Sequence, residues 1–226
     1  GMAGVANIGS DRNWCGHPFA QSNWYSFGRL AWDHQLTAAQ IANEWTRMTF
    51  TNNASAVNSI NQMLLASREI TVNYMTPFGL HHIMGWDHHY APGPWIKNRP
   101  RADCSSVYYH QADSLGIGFN RTASGSNSLG QYAESVAKFF GDLASCPDEY
   151  LLWFHHVPWN YKTKSGETLW NALCYKYYSG VDSVRWMLGV WNSLEGKIDD
   201  ERHQQVKMLL AVQEKEAVMW RNSCVL

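Results

Sequence analysis

From Thr76 to Asn127 the chain loses the helical spacing of apolar residues that it carries on both sides. Pro77, Pro92, Pro94 and Pro100 fall in this segment, with Gly79, Gly85, Gly93, Gly116 and Gly118. Proline removes a backbone donor and fixes φ, and glycine favours turns, so neither a long helix nor a central strand fits here. A stretch this long without regular structure is uncommon in a compact domain, and it is usually functional when ordered.

The flanks read as helices. Phe19, Trp24, Phe27, Leu30 and Ala31 give a helix over 19–32. Thr37 followed by Gln40 is a capping box, and Ile41, Trp45 and Met48 form the stripe of the helix it opens. A longer helix over 53–75 places Val57, Ile60, Leu64 and Leu65 on one face, and Pro77 stops it. Helices return over 128–140 and 147–154, then over 167–178 and 181–194, with a break at Ser179-Gly180. Asp199 caps a last helix whose stripe is Val206, Leu209, Leu210, Ala217 and Trp220. The predicted class is mostly α: long antiparallel helices toward the C-terminus and a loop-rich aromatic middle.

Composition narrows the function. Among 226 residues, Lys plus Arg number 18 and Asp plus Glu 19, a net charge of −1. That balance lacks the electrostatic footprint of a general nucleic-acid binder. No run of about 18 apolar residues is present, so no membrane-spanning helix is expected. Five widely spaced cysteines without a CxxC argue against both a disulfide framework and a cysteine zinc site. Free thiols and no recognisable signal peptide make the cytoplasm the expected location.

Chemistry concentrates in Gly79-Leu80-His81-His82-Ile83-Met84-Gly85-Trp86-Asp87-His88-His89-Tyr90, and again in His155-His156-Val157-Pro158-Trp159. One reading is a metal-dependent enzyme using the His81–His89 cluster. Its spacing is poor: adjacent histidines on an extended loop point apart, and neither HxxxH nor HExxH occurs. No metal site and no cofactor are therefore assigned. The other reading is carbohydrate binding. Indole rings suit the C–H faces of a pyranose, and Asp, His, Asn and Arg suit its hydroxyl rim. Trp86, Trp95 and Trp159, beside Asp87, His88, His89 and His155, offer both kinds of group. For any single Trp, core packing is at least as good an account. No nucleophile elbow or cysteine-protease signature is present. Glu44, Glu149, Glu167 and Glu195 read as solvated helix faces, and no acid/base pair of carboxylates emerges.

Several long motifs carry a resemblance. They are Val5-Ala6-Asn7-Ile8-Gly9-Ser10-Asp11-Arg12-Asn13-Trp14, the Gly79–Tyr90 segment, Gly116-Ile117-Gly118-Phe119, 150–159 and Gln213-Glu214-Lys215-Glu216-Ala217. Together they resemble the C-terminal region of the α-glucuronidases of glycoside hydrolase family 67. The resemblance implies an inverting enzyme that removes 4-O-methyl-glucuronic acid from xylan-derived oligosaccharides. It also implies an upstream (β/α)8 barrel that carries the acid and base carboxylates, and a helical region that packs on this barrel and dimerises. No position of this chain receives a catalytic role, which agrees with the missing carboxylate pair. Residues 1–14 are then the remnant of the last barrel strand and its loop, with 15–226 the helical domain. Asp11, Arg12 and Trp14 would point at the sugar from the C-terminal face of the barrel. The expected substrate-binding residues are thus Asp11, Arg12, Trp14, Trp86, Asp87, His88, His89, Trp95 and Trp159. The expected partners are the upstream barrel, a glucuronic-acid-substituted xylo-oligosaccharide and a second copy of the chain. A freestanding carbohydrate-binding module is the rival from another class.

Overall fold

A computed structural model describes residues 3–4, 9–10, 14–85 and 91–226. Within 1–14, expected as a barrel strand and its loop, Val5–Ile8, Asp11 and Arg12 lie outside the described residues. Among those described, regular structure is eight α-helices, several single 3-10 turns and one two-stranded sheet. The mostly α class holds. No helix among these residues is long and apolar enough to cross a membrane.

The helices are α1 (Pro18–Trp32), α2 (Ala38–Thr49), α3 (Ala54–Met75), α4 (Ser106–His110), α5 (Glu134–Gly141), α6 (Leu151–Phe154), α7 (Leu169–Asn192) and α8 (Asp200–Val225). The chain divides into two compact units. The first holds Gly1–Arg68 and Val184–Gln213; the second holds Glu69–Ser183 and Glu214–Leu226.

In the first unit, α2 starts as its sequence dictates. The Thr37 hydroxyl accepts from the Gln40 N–H, and the Gln40 side chain accepts from the Thr37 N–H at 2.9 Å. Ile41 and Trp45 are buried, whereas Met48 is 66% exposed. The stripe turns instead through fully buried Thr46, whose hydroxyl donates to Asn61 Oδ1 at 2.8 Å. Likewise, α3 buries Ala56, Val57, Ile60 and Met63 in this unit and leaves Leu65 half exposed. Apolar spacing finds a helix, but the partner surface chooses which flank of the stripe is covered. Phe27 and Leu30 of the expected α1 stripe are likewise exposed.

Phe19, Trp45, Phe50 and Trp191 form an aromatic knot with ring centroids 5.3–5.6 Å apart. Each such pair adds about 0.5–1.5 kcal/mol beyond area burial. Below it, the Trp191 indole donates to the His203 carbonyl at 2.9 Å, and His203 Nε2 bonds the Trp191 carbonyl at 3.0 Å. The two rings stack at 5.7 Å. Glu44, expected on a solvated face, takes Arg29 (2.8 Å) and Tyr25 (2.9 Å) and ties α1 to α2. At this exposure the ion pair contributes about 0.2–1 kcal/mol.

The second unit holds the loop-rich middle together with parts of α3, α7 and α8. Strand β1 (Gly116–Ile117) pairs antiparallel with β2 (Val157–Pro158). A Cβ on Gly116 or Gly118 would lie 2.1 Å from the carbonyl of Val157 or His155, so only glycine admits this approach. The predicted break at Ser179-Gly180 is not there, and α7 runs through it. Gly180 is a packing residue: a Cβ there would meet Tyr74 N of α3 at 2.7 Å. Two other expected helices are shorter than read. Residues 128–140 divide into a 3-10 turn, Ser128–Gln131, and α5; residues 147–154 divide into Asp148–Tyr150 and α6. At the C-terminal end, Asp199 caps α8, accepting the Arg202 N–H at 3.0 Å. Helices α7 and α8 pair with opposite ends together, Trp191 with His203 in one unit and Tyr178 under Arg221 in the other. That is the antiparallel order expected.

Candidate functional site

The middle segment is pinned by backbone bonds. Gly93 N–H donates to Ile83 O (2.9 Å) and Gly85 N–H to Ala91 O (2.8 Å), so 83–85 and 91–93 are paired as a base. The expected site residues Trp86, Asp87, His88 and His89 lie outside the described residues. Beside the base, Phe78 (φ 59°) and His82 (φ 45°) hold left-handed backbone conformations. Such conformations cost a non-glycine residue about 1–3 kcal/mol and cluster at binding and active sites.

These residues open onto a polar aromatic cluster in the second unit. The rings of His81 and His82 lie 3.7 Å apart. His81 is edge-on to Trp153 (4.7 Å) and Tyr109 (5.2 Å). Tyr109 leads to Tyr108 (5.1 Å) and Tyr108 to Phe119 (5.6 Å). The Arg121 guanidinium sits over the Trp153 ring at 3.8 Å and the Phe119 ring at 4.3 Å. Its Nη1 donates to the Trp153 carbonyl, and its own N–H donates to Phe154 O at 2.9 Å. Burial pulls the Arg121 pKa down, and no carboxylate among the described residues offsets that. Burial, then the Asp103 charge, holds the Tyr109 pKa above its ordinary value, so its hydroxyl stays protonated.

The expected site residues distribute unevenly. Trp95 is 62% exposed in the Gly93–Ile96 turn, the exposure a sugar platform needs. Trp159 is half-buried and its indole donates to Asp113 O at 2.9 Å, so its polar edge is committed internally. Its ring meets Trp170 and walls an apolar cavity of about 100 Å³ with Leu80, Ile83, Ile117 and Tyr177. Trp14 belongs to the other unit, half-buried against Trp24 at 5.4 Å. His155, read as a rim group, is buried with Nε2 bonded to Phe140 O at 2.8 Å. His110 is buried similarly: its Nδ1 accepts the Ala112 N–H and its Nε2–H donates to Pro94 O. Burial lowers both histidines' pKa values. These two imidazoles therefore satisfy backbone groups rather than solvent or ligand. Among the described residues no three His, Cys, Asp or Glu side chains come together as a metal-holding group.

The Arg121 cluster was not legible beforehand. Its members stand as far apart in sequence as His81 and Trp153, and no local motif links them. The adjacent Tyr108-Tyr109 pair was the available hint.

Fold and cluster together define a mostly helical protein with a loop-built aromatic cluster around one guanidinium. The comparison with known proteins is specific. Residues 15–226 match the Glycosyl hydrolase family 67 C-terminus, and the chain belongs to that family. It is 35% identical over 225 residues to a probable alpha-glucuronidase A of Aspergillus niger. It is 34% identical to alpha-glucuronidase A of Aspergillus tubingensis and to that of Emericella nidulans. Each match covers 99% of this chain and 26% of the relative, so the chain spans about a quarter of the relatives' length.

Proposed function

We propose that this chain is the helical part of an α-glucuronidase that cleaves glucuronic acid from substituted xylo-oligosaccharides, the proton-transferring carboxylates lying upstream of it. Its roles are support for that upstream barrel, dimerisation, and part of the wall of the sugar pocket. Family membership over 15–226 is the observation that carries the reading. Helix α5 supports the first two roles: it buries none of its residues, it exposes Val136 and Phe139, and Tyr132 and Leu143 in the segments flanking it are exposed as well. An apolar face of this kind marks an interaction surface. For the third role, the sugar-facing groups assigned in the second unit are the exposed Trp95 and the stretch Trp86-Asp87-His88-His89, and those assigned in the first unit are Asp11, Arg12 and Trp14.

The test has two arms. The 226-residue chain should not turn over an aldouronic acid, while a full-length protein containing it should. Trp86→Ala in the full-length protein should lower kcat/KM, because a stacked ring contributes to transition-state binding. Turnover by the chain alone overturns the reading. Tight binding of neutral and acidic xylan fragments alike by the chain alone would favour a freestanding binding module instead.

A further inference from the structure

We propose that Arg121, framed by Phe119 and Trp153 and edged by Tyr108 and Tyr109, binds the carboxylate of a uronic acid on this domain itself. The identity of the acid rests on the glucuronidase reading; the anion site does not.

The argument starts from what the guanidinium lacks. A half-desolvated arginine ordinarily meets a carboxylate, since withdrawing a charge from water is costly. Arg121 has two ring faces and one carbonyl, and no ion pair among the described residues. Asp103, which raises the pKa of neighbouring Tyr109, is already held by Arg101. The geometry also says from where a ligand approaches. The Trp153 and Phe119 rings lie 3.8 and 4.3 Å from the guanidinium carbon, and Trp153 O takes Nη1. The in-plane edge formed by Nε and Nη2 makes no hydrogen bond within the described structure, and this is the fork that a carboxylate meets with two parallel bonds.

The surroundings suit a sugar acid rather than a bare ion. Tyr108 is 42% exposed and offers a ring and a hydroxyl beside the fork. The Arg121 backbone is fixed on both sides, N–H to Phe154 O and Leu129 N–H to Arg121 O, and the guanidinium is held by Trp153 O and the Phe119 and Trp153 rings. A rigid fork loses little freedom on binding, which favours even a small ligand.

The experiment observes the Arg121 side-chain Nε–H resonance of the 226-residue chain during titration with D-glucuronate, D-glucose and sulfate. Glucuronate should shift that resonance and saturate, and glucose should not. Sulfate should bind more weakly, because it lacks the ring that Tyr108 meets. Arg121→Lys keeps the charge but loses the fork and should weaken glucuronate about tenfold. Tyr108→Phe, which cannot disturb the Arg121 bonds, should weaken it by a smaller factor. The proposal is overturned by an unmoved Arg121 resonance in the wild type, by equal response to sulfate and glucuronate, or by a folded Arg121→Lys chain that binds like the wild type. Should Arg121→Lys fail to fold, the wild-type resonance and Tyr108→Phe decide. Absence of glucuronate binding at wild-type Arg121 in a full-length protein that keeps glucuronidase activity refutes only this inference; a full-length protein without glucuronidase activity refutes the functional reading.

Discussion

Adding one methyl group at Gly180 should destabilise the protein, although the same change in an open helical position stabilises. Alanine exceeds glycine in helix propensity by about 1 kcal/mol, chiefly through backbone entropy. Gly180 lies inside α7, so this gain is present there. Its Cβ, however, would sit 2.7 Å from Tyr74 N and 2.9 Å from Tyr74 Cβ, against an ordinary contact of 3.4–4 Å. The obstructing atoms are backbone and Cβ of α3, so no side chain can swing away; the helices must separate by several tenths of an ångström. Over-packing a core by about one methylene costs roughly 1–3 kcal/mol. Gly189 in the same helix is the control, since nothing lies within 4 Å of its added Cβ. The intrinsic gain is common to both substitutions, so Gly189→Ala should exceed Gly180→Ala in stability by about 1–3 kcal/mol. Urea unfolding followed by circular dichroism measures both. Equal stability of the two variants would refute the claim that Gly180 is present for close helix approach.

Three further outcomes are expected. Thr37→Ala removes the hydroxyl that accepts the Gln40 N–H and should cost about 1 kcal/mol, read as a lower urea midpoint; no change would mean the box is idle. Burial lowers the pKa values of His110 and His155, outweighing their carbonyl bonds to Pro94 and Phe140, so unfolding at acid pH takes up protons. Stability is therefore full above the unfolded value of 6.5 and declines as pH falls below it; a midpoint constant through that range contradicts the assignment. Burial also pushes the Cys146 thiol up to about 11, so at neutral pH on the order of one in 10⁴ is ionised. Ellman's reagent should label Cys146 only as the chain unfolds, and rapid labelling of the native protein would show that the site is open.

The local instructions in this chain were readable where a few neighbouring residues suffice. The Thr37–Gln40 box, the Asp199 cap, the stop at Pro77 and the turn-rich character of 76–127 are each decided by side chains bonding to backbone nearby or by the φ restriction of proline, and each is found as read. Long motifs were equally legible, which is why the family could be recognised from residues alone. What needed the tertiary structure is whatever depends on a distant partner. Gly180 looks like a helix break until α3 is seen against it, and Met48 and Leu65 look like core until the covered flank of each helix is known. His155 looks like a ligand group until Phe140 O is seen to occupy it. The Arg121 cluster joins His81, Tyr109, Phe119 and Trp153, whose spacing along the chain follows no period. Periodicity and capping act over about one helical turn, whereas burial, close approach and charge pairing are properties of surfaces that only the folded chain brings together.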